Sequence, residues 1–185
     1  MFCERTVYDC PWVRLTQVDV QAPDGRRWWH HVVRLSRVAV AVVIDDDDRV
    51  LMMWRHRFIP NRWGWELPGG IVDPDSDENG ATAASREVEE ETGWRPAALQ
   101  HLATFDPMPG LVDTPHEVYL ARGAVRVGEP TDAEEAAQIA WVPLADTFAL
   151  AARGELLGAG TLVGLLWTLA APSSGKSIDP SELSN

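Results

Sequence analysis

The chain has little cysteine, almost no lysine and far less base than acid. Its two cysteines, Cys3 and Cys10, both stand near the N-terminus. So few argue against a disulfide framework or a cysteine-bound zinc, and they suit a reducing compartment, so a cytoplasmic protein is expected. Of sixteen Lys and Arg residues only Lys176 is lysine, against twenty-eight Asp and Glu, for a formal net charge of −12 over 185 residues. That balance argues against nucleic acid, whose phosphates are gripped by clustered basic side chains. Long apolar runs are missing too. The longest uncharged stretch, Leu156–Pro172, holds three glycines and reads as a buried C-terminal helix rather than a membrane span. Its Gly160-xxx-Gly164 spacing then signifies close packing in a core. Residues 1–10 carry acids and no apolar run, so no signal peptide is expected.

The length suits one domain with a small extension. Alternating stretches at Trp12–Val20 and Arg26–Arg34 flank Ala22-Pro23-Asp24-Gly25, a hairpin turn. Val38–Ile44 is apolar throughout and reads as a central strand, followed by Val50–Phe58 and Trp63–Leu67. The four aspartates 45–48 between the first two of these are a solvated turn rather than a metal site. Ala81–Thr92 is the clearest helix, with Gly93 as its cap. Strands are expected at Ala97–Phe105, His116–Ala121 and Ile139–Val142, then helices at Leu144–Arg153 and Gly160–Ala170. The order implies an α+β fold with a mixed sheet. Residues 1–36 form an N-terminal hairpin extension, 37–172 the main domain, and 173–185 a disordered tail.

Residues 86–94, REVEEETGW, pose the sharpest question. Glu87, Glu90 and Glu91 stand at i, i+3 and i+4 on one helical face, where like charges repel; Glu89 points elsewhere. An acidic run is ordinarily a solvated face. Here Ala84 and Val88 give the helix a core side, and carboxylates converging beside it call for a cation. Oxygen-only donors suit Mg²⁺, with Mn²⁺ as the alternative.

From Glu78 through Arg86, Glu87, Val88, Glu90, Glu91 and Gly93 to Trp94, the chain resembles the Nudix box, G-x5-E-x7-R-E-U-x-E-E-x-G-U with U bulky and apolar. It departs once, with seven residues rather than five between Gly70 and Glu78. The resemblance implies an α/β/α sandwich and metal-assisted hydrolysis of a nucleoside diphosphate linked to a second group. It makes Glu87, Glu90, Glu91 and Gly69 the metal side, with Arg86 steadying the glutamates and Arg86 and Glu90 catalytic. Pro109, sixteen residues after Gly93, looks like the marker of the ADP-ribose pyrophosphatases. That subgroup implies a homodimer built on the N-terminal hairpin, with Trp12 and Trp29 stacking on adenine. Arg34 and Arg57 would stand near the substrate phosphates, with Glu66 on the substrate side. Trp28, Trp63 and Trp65 could exchange roles with those aromatics. A general base is implied in the acidic loop 129–135, at Glu135 or Glu134, and a solvated loop is the plain alternative. A hydrolase of nucleoside triphosphates or dinucleotides, and a non-catalytic ADP-ribose sensor, are the rival readings. His116 is a weaker binding candidate. Gly175-Lys176-Ser177 lacks the leading glycine of a P-loop, and His30 and His31 point to opposite faces of a strand.

Overall fold

The computed structural model describes residues 2–132 and 137–170. Its strands are β1 (Cys3–Cys10), β2 (Val13–Gln21), β3 (Arg27–Arg34), β4 (Val38–Ile44), β5 (Arg49–Arg57), β6 (Arg62–Glu66) and β7 (Gly69–Ile71). Helix α1 (Gly80–Thr92) follows, then β8 (Trp94–Pro96), β9 (Gln100–Phe105), β10 (Val112–Asp113), β11 (His116–Arg122), β12 (Ala124–Arg126) and β13 (Gln138–Pro143). Helices α2 (Thr147–Ala152) and α3 (Ala159–Ala170) end the described chain.

The central sheet runs β13-β5-β4-β11-β9, with β6 paired to β5 and β7 to β4. Only β4 and β11 pair in parallel within it, so the sheet is mixed. Strand β4 shows why helices cover both faces. Ala39, Ala41 and Val43 pack with Ala84 and Val88 of α1, whereas Val40, Val42 and Ile44 pack with Leu165 of α3. A strand apolar at every position must be buried on both sides, and fully burying each valine is worth about 1.5–3 kcal/mol. Gly160 and Gly164 let α3 lie directly against Val40 and Val42. The α/β/α sandwich is as expected, and among the described residues no helix is long and apolar enough to cross a membrane.

The N-terminal extension is larger than a hairpin. Strand β1 joins β2 and β3, and β10 adds to β3 in parallel, making four strands. Seven of the eight β1 residues are exposed, so the strand carries no burial alternation to mark it. Trp12 lies in the β1–β2 turn rather than in a strand. The strand expected at 97–105 begins only at Gln100, as β9, and the separate β8 just ahead of it pairs with β12 in a sheet of its own. A 3-10 turn at Leu144–Asp146 shortens the helix expected at 144–153.

Asn79 caps α1 by accepting the Thr82 N–H at 3.0 Å. Gly93 ends it with φ 72°, its N–H returned to the Glu89 carbonyl. A side chain at Gly93 would also collide with the Gly128 carbonyl. Gly93→Ala should therefore lose about 1–3 kcal/mol in denaturant unfolding. A loss near zero would mean that this turn is not held as described.

Candidate active site

Helix α1 turns its acidic face toward β7 and the loop before it. Arg86 stands within that face. Its Nε donates to Glu78 Oε1 at 2.9 Å, and its Nη1 donates to Glu87 Oε1 and Glu90 Oε2, both at 2.8 Å. Its Nη2 reaches the Ile71 carbonyl at 3.2 Å. One guanidinium thus ties three carboxylates to the strand beneath. Arg86 is held protonated beyond its usual range, chiefly by Glu78, and in return Arg86 lowers the Glu78 carboxyl. The long loop leaves Glu78 well placed, since it also accepts the Asp73 N–H at 3.2 Å. Glu89 points away, as expected, and pairs with Arg95.

Glu91 lies deeper, its side chain 5% exposed. Arg55 Nη2 donates to its Oε1 at 2.5 Å, and the Gly69 N–H donates to its Oε2 at 2.9 Å. Burial still raises Glu91 to about 6, against the pull of Arg55. Glu87 is raised as well, again mainly by burial. Gly70 comes so close to Glu87 that a Cβ there would overlap its carboxylate. Arg55 was not foreseen from the sequence.

Among the substrate-side candidates, Arg57 and Glu66 meet directly. Arg57 Nη2 donates to Glu66 Oε2 at 2.7 Å, and its Nε contacts both oxygens at 3.1 Å. Arg34 is engaged by Glu4 at 2.7 Å and Asp113 at 2.5 Å. Pro109 lies in the loop before β10, and that loop meets β3 where His30 bonds the Gly110 carbonyl at 2.8 Å. Trp12 is 79% exposed and Trp29 44%, the latter under the Arg5 guanidinium. Trp63 and Trp65 instead line up with Trp54 on the β5–β6 hairpin. His116 packs against Phe105, and burial lowers its pKa.

An open cleft of about 540 Å³ adjoins the helix end, lined by Arg86, Glu90, Gly128, Glu129 and Thr131. Thr131 and Asp132 donate their N–H groups to the Glu90 carbonyl at 2.9 and 3.1 Å. Glu134 and Glu135 lie outside the described residues, as does the tail 173–185.

Among the described residues no three His, Cys, Asp or Glu side chains form a metal-holding group; Glu87 and Glu90 are paired with Arg86, and Glu91 with Arg55. The donor chemistry nonetheless fits a small hard cation. Every donor is oxygen, and burial raises both Glu87 and Glu91, so their ionised forms would gain from a cation beside them.

The chain belongs to the Nudix family: the NUDIX domain matches residues 35–158. It is a Nudix hydrolase, in a family that generally needs a divalent metal. It is 47% identical over 166 residues to CMP-5'-(N-acetyl-N-hydroxy-3-aminopropyl)phosphonate hydrolase of Streptomyces rubellomurinus, covering 90% of this chain and 80% of that one. It is 32% identical to an ADP-ribose pyrophosphatase of Mycobacterium tuberculosis, over 82% of this chain and 74% of that one. A solved ADP compounds hydrolase shares the fold, with a TM-score of 0.76 at 19% identity, over 91% of this chain and 90% of that one.

A raised carboxyl has a definite sign in stability. Protons bind the folded chain more tightly than the unfolded one between pH 4.5 and about 6. Glu91 therefore contributes stability, about 2 kcal/mol, that is present below pH 4.5 and is lost as pH rises through about 6. In metal-free protein the Glu91 carboxyl, assigned by its loss in Glu91→Gln, should titrate near pH 6 by carbon-13 NMR. Titration at or below 4.5 would contradict the burial argument.

Proposed function

We propose that the chain hydrolyses the pyrophosphate linkage of ADP-ribose or a related nucleoside diphosphate sugar, with Mg²⁺ as the metal. The products are a nucleoside monophosphate and a sugar phosphate. One observation carries the reading: the α1 carboxylates, held by Arg86, share the cluster of charges that leads through Arg55 to Glu66 and Arg57. Glu87, Glu90 and Glu91, with Gly69 beside them, would hold the cation. When bound, such a cation neutralises phosphate charge and lowers the pKa of a water. The chain's own residues do the rest. Arg57, oriented by Glu66 and still 43% exposed, attracts the phosphates, and Arg86 keeps Glu87 and Glu90 in register. A proton acceptor for water is assigned to Glu135 or Glu134, on the family resemblance alone.

The same reading includes a cytoplasmic homodimer in which residues 12–34 complete the partner's site. The exposed Trp12, Trp28 and Trp29 on the N-terminal sheet support it. Arg34 would then act on phosphates only by exchanging Glu4 or Asp113 for them.

A second reading is favoured by the Streptomyces relative, whose name gives a cytidine nucleotide joined to a phosphonate. If that junction is a P–O–P anhydride, the chemistry is unchanged, and only the base clamp and the far pocket differ. A panel of ADP-ribose, a CMP-linked phosphonate and nucleoside triphosphates separates the two by kcat/KM. The first reading expects ADP-ribose to lead, Glu90→Gln to lower kcat by orders of magnitude, and Trp29→Ala to raise KM more than it lowers kcat. A lead for the phosphonate would select the second reading. A lead for triphosphates would contradict both.

A further inference from the structure

The sheet side of Glu91 carries a ladder of charge that runs from the helix to the surface. Arg55, on β5, is 2% exposed. Its Nη2 donates to Glu91 Oε1 at 2.5 Å and lies 3.4 Å from Met53 Sδ, while its Nη1 is 3.8 Å from Glu66 Oε2. Glu66 in turn is gripped by Arg57. The other Glu91 oxygen accepts the Gly69 N–H at 2.9 Å. Both oxygens of this one carboxylate are therefore bonded, from two different strands.

We propose that Arg55 is a positioning residue, which sets the orientation of the Glu91 carboxylate toward the metal side of the site. The proposal rests on the reading of Glu91 as a metal-side carboxylate. Arg86 and Arg57 are 36% and 43% exposed and can meet a substrate, whereas Arg55 at 2% acts only through what it touches. A buried ion pair is a weak device for stability alone, since desolvation offsets much of the attraction. What a planar guanidinium supplies is direction, because it can face two carboxylates at once from a fixed plane. Lysine, a compact charge on a flexible stem, keeps the sign and loses the geometry.

The test compares wild type, Arg55→Lys, Glu91→Gln and the double variant. Turnover is measured on the preferred compound of the panel, and Mn²⁺ binding to the resting protein by electron paramagnetic resonance. Arg55→Lys should lower kcat and weaken Mn²⁺ binding, each by about 10–100-fold, the range for residues that orient metal ligands. KM should stay within about twofold, and in the Glu91→Gln background the same change should add almost nothing. Three results would overturn the proposal: wild-type kcat and Mn²⁺ affinity in Arg55→Lys, a loss confined to KM, or the full loss recurring without Glu91. Full activity in Glu91→Gln would instead overturn the reading of Glu91, and the proposal with it. Should Arg55→Lys not fold by circular dichroism, Arg55→Gln carries the same expectations.

Discussion

The site depends on the removal of carboxylates from water and on the two arginines that make this tolerable. Magnitudes decide which cost matters. Like charges three or four apart on an exposed helix cost only a few tenths of a kcal/mol. An ionised carboxylate taken from water without a partner costs several kcal/mol. Glu91 is 5% exposed and Glu87 16%, so burial rather than mutual repulsion is the larger burden. Arg86 meets it for Glu87, and Arg55 for Glu91, while Arg86 also pairs with the more exposed Glu90.

Those pairings also bind the layers of the fold to one another. Arg86 bonds the Ile71 carbonyl on β7, and Glu91 accepts from Gly69 on the same strand. Helix α1 thus docks on the sheet through apolar contacts at Ala84 and Val88 and through charged hydrogen bonds along its acidic edge. The apolar contacts hold the helix down, and the charged ones fix its rotation and its height along β7. The two arginines stand where a divalent cation would compete for the same oxygens. Glu87 and Glu91 are therefore kept poised, paired with arginine and yet raised by burial.

Much of this was legible in the sequence, and the gaps have physical causes. The run 86–94 announced the acidic face because helical spacing is local, and Val38–Ile44 announced a doubly covered strand because nothing in it tolerates water. Arg55 gave no such signal. It sits two residues from Arg57 on the same strand, and its partner Glu91 is 36 residues away, so only the tertiary fold separates the buried arginine from the exposed one. Strand β1 was hidden for the opposite reason, being exposed along nearly all its length. Glu66 and Arg57 were named separately on the strength of a family resemblance, and the cross-strand pairing of β5 with β6 brought them together.

The central claim is that this poised acidic face binds a divalent cation. Thermal unfolding against MgCl₂ at constant ionic strength tests it most directly, without any substrate. A ligand of the folded state raises Tm in proportion to the logarithm of its concentration above Kd. The account expects a Tm that climbs with Mg²⁺ in the wild type, and no climb in Glu87→Gln. A wild type indifferent to Mg²⁺, or an equal climb in both proteins, would contradict it.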